Sequence, residues 1–247
     1  MHYAAAGYRV VLVTCTDGQL GFDRERRAGP DPWHDVEETR STRAGELRRA
    51  ASVAGFDRVV TLGFDDSGMA GWPQNSNPTA FMNASVDASA QVLAALFDEV
   101  GATVVVTYDE NGFYGHPDHI MANTVTRRAI ELSHSPQRLY YPVVPQSVLS
   151  KFIPDATAGG VFLPQWLLEA GVGIADELVT TTLDVTRFAS SKQAAIAAHA
   201  SQIDNADLVT MDSKLFTLLF GVEYYQRAWS RGPVSGDETD LFGGLRD

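Results

Sequence analysis

Cys15 is the only cysteine among 247 residues. No intrachain disulfide can therefore form, and a reducing, cytoplasmic compartment is expected. Cys15 follows the apolar run from Val10 and reads as a small buried hydrophobe. Long apolar stretches are missing too: none reaches the length of a membrane span, and no signal peptide is expected. Basic residues are scarce, with 19 Lys and Arg against 31 Asp and Glu and a formal charge of −12. No basic face is left to neutralise phosphates, which argues against a nucleic-acid partner. A neutral sugar or a metal ion is not excluded by that charge. Repeats, heptads and low-complexity segments are absent as well. A chain of this length with 45% hydrophobic residues is expected to form one α/β domain over residues 1–247.

The stretch with the most chemistry runs from Asp109 to His119. Before it, Thr103 to Tyr108 is a β-branched apolar run suited to a buried parallel strand. After it, Val125, Ala129 and Leu132 recur at helical spacing. Strand, polar loop and helix in this order form the place where open α/β sheets hold ligands. Pro117 fits a first helical turn, where its missing amide costs nothing. His116, Asp118 and His119 then crowd the positive end of one helix. Neutral imidazole is a common zinc ligand, and a nearby carboxylate can ligate or orient it. The competing reading is a polar helix cap with two solvated histidines. Two His around Pro-Asp, after a Gly-Phe-Tyr-Gly loop at a strand's end, favour a site.

The rest of the chain alternates in the same way. Tyr3 to Gly7 reads as a helix end with its glycine cap, and Arg9 to Cys15 as a strand. Thr16 to Gly21 is a Gly-rich loop, and residues 22–38 form a polar surface segment or lid. A helix over Thr39 to Ala54 is expected to turn Leu47, Ala51 and Ala54 inward. Arg58 to Leu62 is the next strand, followed by a loop, a helix over Val86 to Val100, the central strand and its helix. Arg138 to Val144 is a further strand. This βαβ rhythm predicts a doubly wound, mainly parallel sheet. From about 145 to 173 an irregular insertion is expected to wall a pocket. Leu178 to Val185 is a strand, Phe188 to Gln202 a helix bearing Lys192 and His199, and Glu223 to Trp229 a helix.

Taken together, these segments resemble the PIG-L/LmbE-like N-acetylglucosaminyl deacetylases, and most closely the mycothiol-biosynthesis branch acting on a glucosaminyl-inositol. The resemblance is carried by Val11 to Thr16, Arg43-Ala44-Gly45-Glu46-Leu47, Asp66 to Gly71, Val104 to His119, Ala197 to Gln202 and Glu238 to Leu241. It implies a Rossmann-like fold, a small amino-sugar substrate and a zinc-type site, though another divalent cation would serve, and it leaves room for a homo-oligomer. His119 would match a metal ligand. His116 would match the histidine that stabilises the oxyanion, Asp118 a residue supporting the imidazoles, and Tyr114 a mobile tyrosine near the scissile amide. Arg43, Asp66 and Met69 would match positions lining the sugar or inositol pocket. Their plainer readings are a helix-surface charge, an Asp-Ser turn and a core methionine. Gln19 stands where many relatives carry Glu.

One departure from the family pattern concerns its first loop, Ala-His-Pro-Asp-Asp-Glu, which supplies a His, an Asp ligand and the general base. No such segment occurs in the sequence, and His2 does not replace it. The resemblance therefore implies an N-terminal truncation of roughly 20 to 30 residues, by ordinary element lengths, that removes the first, central strand. The chain as given is then expected to be a poor enzyme. Two alternatives remain open: an amidase of the kind that cleaves mycothiol conjugates, and a catalytically inactive sugar-binding homologue.

Overall fold

A computed structural model describes residues 1–160, 172–234 and 238–245. The chain packs as two compact units, each drawn from two stretches of sequence. The first comprises Met1–Asn83 and Val185–Gly221, the second Ala84–Asp184 and Val222–Asp247.

In the first unit, β1 (Val11–Thr16) pairs in parallel with β2 (Arg58–Phe64). The connection is the helix Val36–Ala54, capped by the Asp35 carboxylate on the amide of Glu38 and closed by Gly55 at φ 77°. Glu37 and Glu38 in its first turn suit the positive end of the helix. The helix starts earlier than its apolar pattern suggests, because Asp35 is the better cap. Its inward face also differs from the expected one. Ala50 and Ala51 are buried, but so are Thr39 and Glu46, while Leu47 is only half-buried. The polar segment before it is tied down by Asp23, whose carboxylate accepts from the amides of Arg27 and Asp35 and pairs with the Arg27 guanidinium. A single turn at His2–Ala5 precedes β1, and Gly7 reverses the chain at φ 86°. The helix expected over Phe188 to Gln202 is shorter, Ala189–Ala197, so His199 lies in the turn beyond its end.

The second unit holds a four-stranded sheet in the order β3-β4-β6-β5, formed by β3 (Val104–Val106), β4 (Arg138–Val143), β5 (Thr181–Asp184) and β6 (Val222–Ser230). β3 and β4 are parallel, and β6 runs antiparallel to both β4 and β5. The helices Val86–Val100 and Pro117–Leu132 pack together, burying Leu93, Ala94 and Phe97 from one and Val125, Ala129 and Ile130 from the other. β6 corrects the expected helix over Glu223 to Trp229. That segment is rich in Tyr and Trp, which fit a half-buried pleated surface, and the ladder on both its sides supplies what local propensity does not. The helix that does occur nearby is Ser213–Phe220, one element earlier. The expected irregular insertion begins instead with a helix, Gln146–Ala158, which tolerates Pro154. Residues 161–171 of that insertion lie outside the described residues.

Among the described residues, the ladders pair β1 with β2 alone and β3 with β4 alone. Both parallel pairs lead at their carboxyl ends into the loops that carry the candidate residues: Thr16 into Asp17 to Gly21, Phe64 into Asp65 to Gly71, and Val106 into Tyr108 to Gly115.

Candidate active site

The loop after β3 is shaped by backbone that few residues adopt. Gly112 has φ 63° and is buried, and a Cβ there would stand 2.8 Å from the backbone nitrogen of Ile120. Only glycine lets the chain pass so close to the following helix. Phe113 has φ 66°, a conformation an aromatic residue holds only under constraint, and the Asp109 carboxylate accepts from its amide at 2.8 Å. Asn123, buried in the helix, donates to the Tyr108 carbonyl at 2.7 Å and fixes the other end of the loop.

This loop delivers three of the expected residues to one place. His116 is the helix N-cap, and its Nδ1 accepts from the Asp118 amide at 3.2 Å. An imidazole nitrogen that accepts carries no proton, so the neutral His116 ring bears its proton on Nε2. His119, one turn into the helix, has the opposite arrangement. Its Nδ1 lies 3.2 Å from the Gly112 carbonyl oxygen, which can only accept, so Nδ1 is the protonated nitrogen and Nε2 holds the lone pair. The Tyr108 ring stacks on His119 at 3.8 Å between centroids and 5° between planes. Tyr114 meets the same imidazole edge-on at 5.2 Å, and the His116 ring is 4.8 Å away. Burial first, and then the neighbouring His116, push His119 down to about 4, against a smaller opposing effect of the Gly112 carbonyl. His119 is therefore neutral at physiological pH. Asp118 is buried, and the group it offers His116 is its backbone amide.

The other expected residues lie in the first unit. Asp66 follows β2; its amide donates to the buried Gln19 side chain at 2.8 Å, and its Oδ1 accepts from the Gly68 amide at 2.8 Å. The Asp-Ser turn reading is thus correct for Oδ1. Met69 is half-buried rather than core, with its carbonyl held by Asn75. Arg40 ties the two loops of this unit together, pairing with Asp17 after β1 and with Asp65 after β2. Arg43, one turn on, donates through Nη1 to Glu46 at 3.2 Å and to His199 Nδ1 at 3.1 Å. It is no bare surface charge, with its side chain only a quarter exposed.

Several of these partners have no signature in the sequence. Tyr108 is simply the last residue of an apolar run, and the Gly112 carbonyl has no side chain to notice. Glu46 and His199 sit inside two of the matching segments, but their contact spans more than 150 positions.

Known proteins resemble this chain over most of its length. A family model described as PIG-L, GlcNAc-PI de-N-acetylase, matches residues 1–130. A relative from Salinispora arenicola, named 1D-myo-inositol 2-acetamido-2-deoxy-alpha-D-glucopyranoside deacetylase, is 38% identical over 99% of this chain and 84% of its own. Two solved structures share the fold at low identity. One is the 4-carboxy-2-hydroxymuconate hydratase GalB of Pseudomonas putida KT2440, with a TM-score of 0.57 and 17% identity over 95% of this chain and 90% of its own. The other is the N,N'-diacetylchitobiose deacetylase of Pyrococcus horikoshii, at 0.54 and 15% over 92% and 74%. A hydratase and a deacetylase on one Rossmann-like frame show that the frame does not choose the chemistry. Family and sequence relatives do narrow it, and by both measures the chain belongs to the PIG-L deacetylase family.

Proposed function

We propose that residues 1–247 act as one catalytic domain, an amide hydrolase that removes acetyl from the N-acetylglucosaminyl group of a glucosaminyl-inositol. The observation that carries this reading is the complementary protonation of two adjacent imidazoles, His116 and His119. His119 fits a divalent metal such as zinc: its Nδ1–H is spent on a backbone carbonyl, its Nε2 lone pair remains, and its lowered pKa keeps that pair unprotonated. Bound there, the ion would polarise the acetamide carbonyl and supply an activated water.

His116, with its proton on Nε2, is set up to donate to the oxygen that becomes negative when the amide carbon turns tetrahedral. The same proton can then pass to the departing sugar amine. Tyr114, edge-on to His119, would close over the acetyl group. Asp118 serves from behind, its amide fixing the tautomer of His116. Arg43 and Asp66 would recognise ligand hydroxyls, with Met69 against the sugar face. Asp66 is suited to this because a carboxylate accepts hydrogen bonds from ligand hydroxyls.

The resemblance assigns further ligands and the base to an Ala-His-Pro-Asp-Asp loop that the sequence does not contain. No helix among the described residues is long and apolar enough to cross a membrane. The single cysteine supports placing the reaction in a reducing compartment such as the cytoplasm. The test is incubation with zinc and the acetamido-glucosyl-inositol, following free amine. Amine release that a chelator abolishes is expected. Neither zinc binding nor amine above the buffer rate would overturn the reading.

A further inference from the structure

Glu46 has 1% of its surface exposed. A carboxylate so deeply buried persists only where donors occupy its oxygens. Among the described residues, its donors come from two places. Oε2 takes Arg43 Nη1 at 3.2 Å and the Ser201 hydroxyl at 3.0 Å, and Oε1 takes the Ser201 amide at 2.7 Å. His199, two residues before Ser201, accepts from the same Arg43 nitrogen. Its Nδ1 is thus the acceptor and its proton sits on Nε2; burial and the positive Arg43 hold its pKa below the usual imidazole value. Gln202 continues the turn, donating to the Ser201 hydroxyl at 2.6 Å.

The loop after β1 leaves room for this assembly. A Cβ on Gly18 would stand 3.2 Å from Arg43 Nε, and one on Gly21 would stand 2.6 Å from the Gln202 carboxamide. The Glu46 bracket uses one corner of the Arg43 guanidinium, Nη1, out of a five-donor fork. Packing alone does not require such a cluster, since replacing a whole buried ion pair by well-fitted apolar side chains is often neutral or stabilising. What an acid adds is direction for the guanidinium and for the turn at His199 to Gln202.

We propose that Glu46 is a positioning residue for substrate recognition, acting through Arg43 and the His199–Gln202 turn. The proposal rests on the reading of Arg43 as a ligand-binding residue. Glu46→Gln preserves size and the bond to the Ser201 amide, but it turns an NH2 toward donors. Binding of the acetamido-glucosyl-inositol, measured by calorimetry with a chelator present to prevent turnover, is expected to weaken roughly tenfold. Arg43→Ala is expected to weaken it at least as much, and the double variant no further than Arg43→Ala alone. If Glu46→Gln does not fold, Glu46→Asp keeps the charge on a shorter arm and is expected to show the same coupling to Arg43. The nitrogen resonances of His199 read the bracket without ligand: Nδ1 should shift in the Glu46 variant as Arg43 turns away.

Wild-type affinity in the Glu46 variants, additive losses in the double variant, or an unmoved His199 resonance would each overturn the positioning role. An Arg43→Ala variant that binds normally would instead remove the recognition reading, and the positioning role with it. A wild-type chain that binds nothing, while His199 still responds to Glu46→Gln, would remove recognition and leave Glu46 only as the anchor of Arg43.

Discussion

The two units prepare their functional side chains by opposite means. In the first, Arg40, Arg43, Asp17, Asp65 and Glu46 form ion pairs that hold the loops after β1 and β2. In the second, the tautomers of two adjacent imidazoles are assigned by backbone atoms, the Asp118 amide and the Gly112 carbonyl, and burial keeps His119 neutral. Fixed charge suits recognition of hydroxyl groups, and groups that can pass a proton or a lone pair suit bond cleavage. On the proposed reading, recognition and chemistry are prepared on separate stretches of chain, so variants should separate them.

The largest effect is expected at His119. His119→Ala removes the Nε2 lone pair, and equilibrium dialysis should show zinc affinity reduced by more than about 100-fold, beyond the loss typical of an outer-shell partner. Turnover should vanish with it. Retained zinc would show that the chemistry does not reside on this imidazole.

His116→Ala should sharpen the contrast within the pair. Zinc binding is expected to remain while amine release falls about 100- to 1,000-fold, the usual loss for one oxyanion donor. Joint loss of metal and turnover would make His116 a ligand instead.

Asp66→Ala tests the recognition side and should be milder. Discrimination between the glucosaminyl-inositol and plain N-acetylglucosamine is expected to drop about tenfold, because a hydroxyl partner is lost. Equal losses on both sugars would reject a specificity role.

The smallest effect is a pH dependence of stability. His119 titrates near 4 in the folded chain and near its ordinary value of 6.5 when unfolded. Between these limits the unfolded state binds the extra proton, so stability rises with pH. It should be fully present above about 6.5 and decline as the pH falls toward 4. In thermal melts across this window, His119→Ala should flatten that slope.

Much of this was legible because local chemistry and fold agreed. Pro117 at the helix start, the glycines of the Gly-Phe-Tyr-Gly loop and the Val run before it each demand the conformation they adopt. β6 was not legible: its aromatics tolerate helix or strand, and its two ladder partners lie far away in sequence. Glu46 was hidden for a related reason, since a glutamate on a helix normally faces water and its partner Ser201 is 155 residues away. In each case a long-range partner, which no periodicity reveals, decided the side chain's role.

The face-to-face stack of Tyr108 on His119, at 3.8 Å and 5°, also gives the chain a spectroscopic label. Protons held above an aromatic face are shielded by its circulating π electrons, and those at the edge are not. The carbon-bound protons of the His119 imidazole should therefore resonate upfield of their random-coil positions and fall back when Tyr108 is replaced by leucine. Those displaced signals would report the state of the His119 ring without substrate, metal or turnover, and would register any event that slides it off the tyrosine.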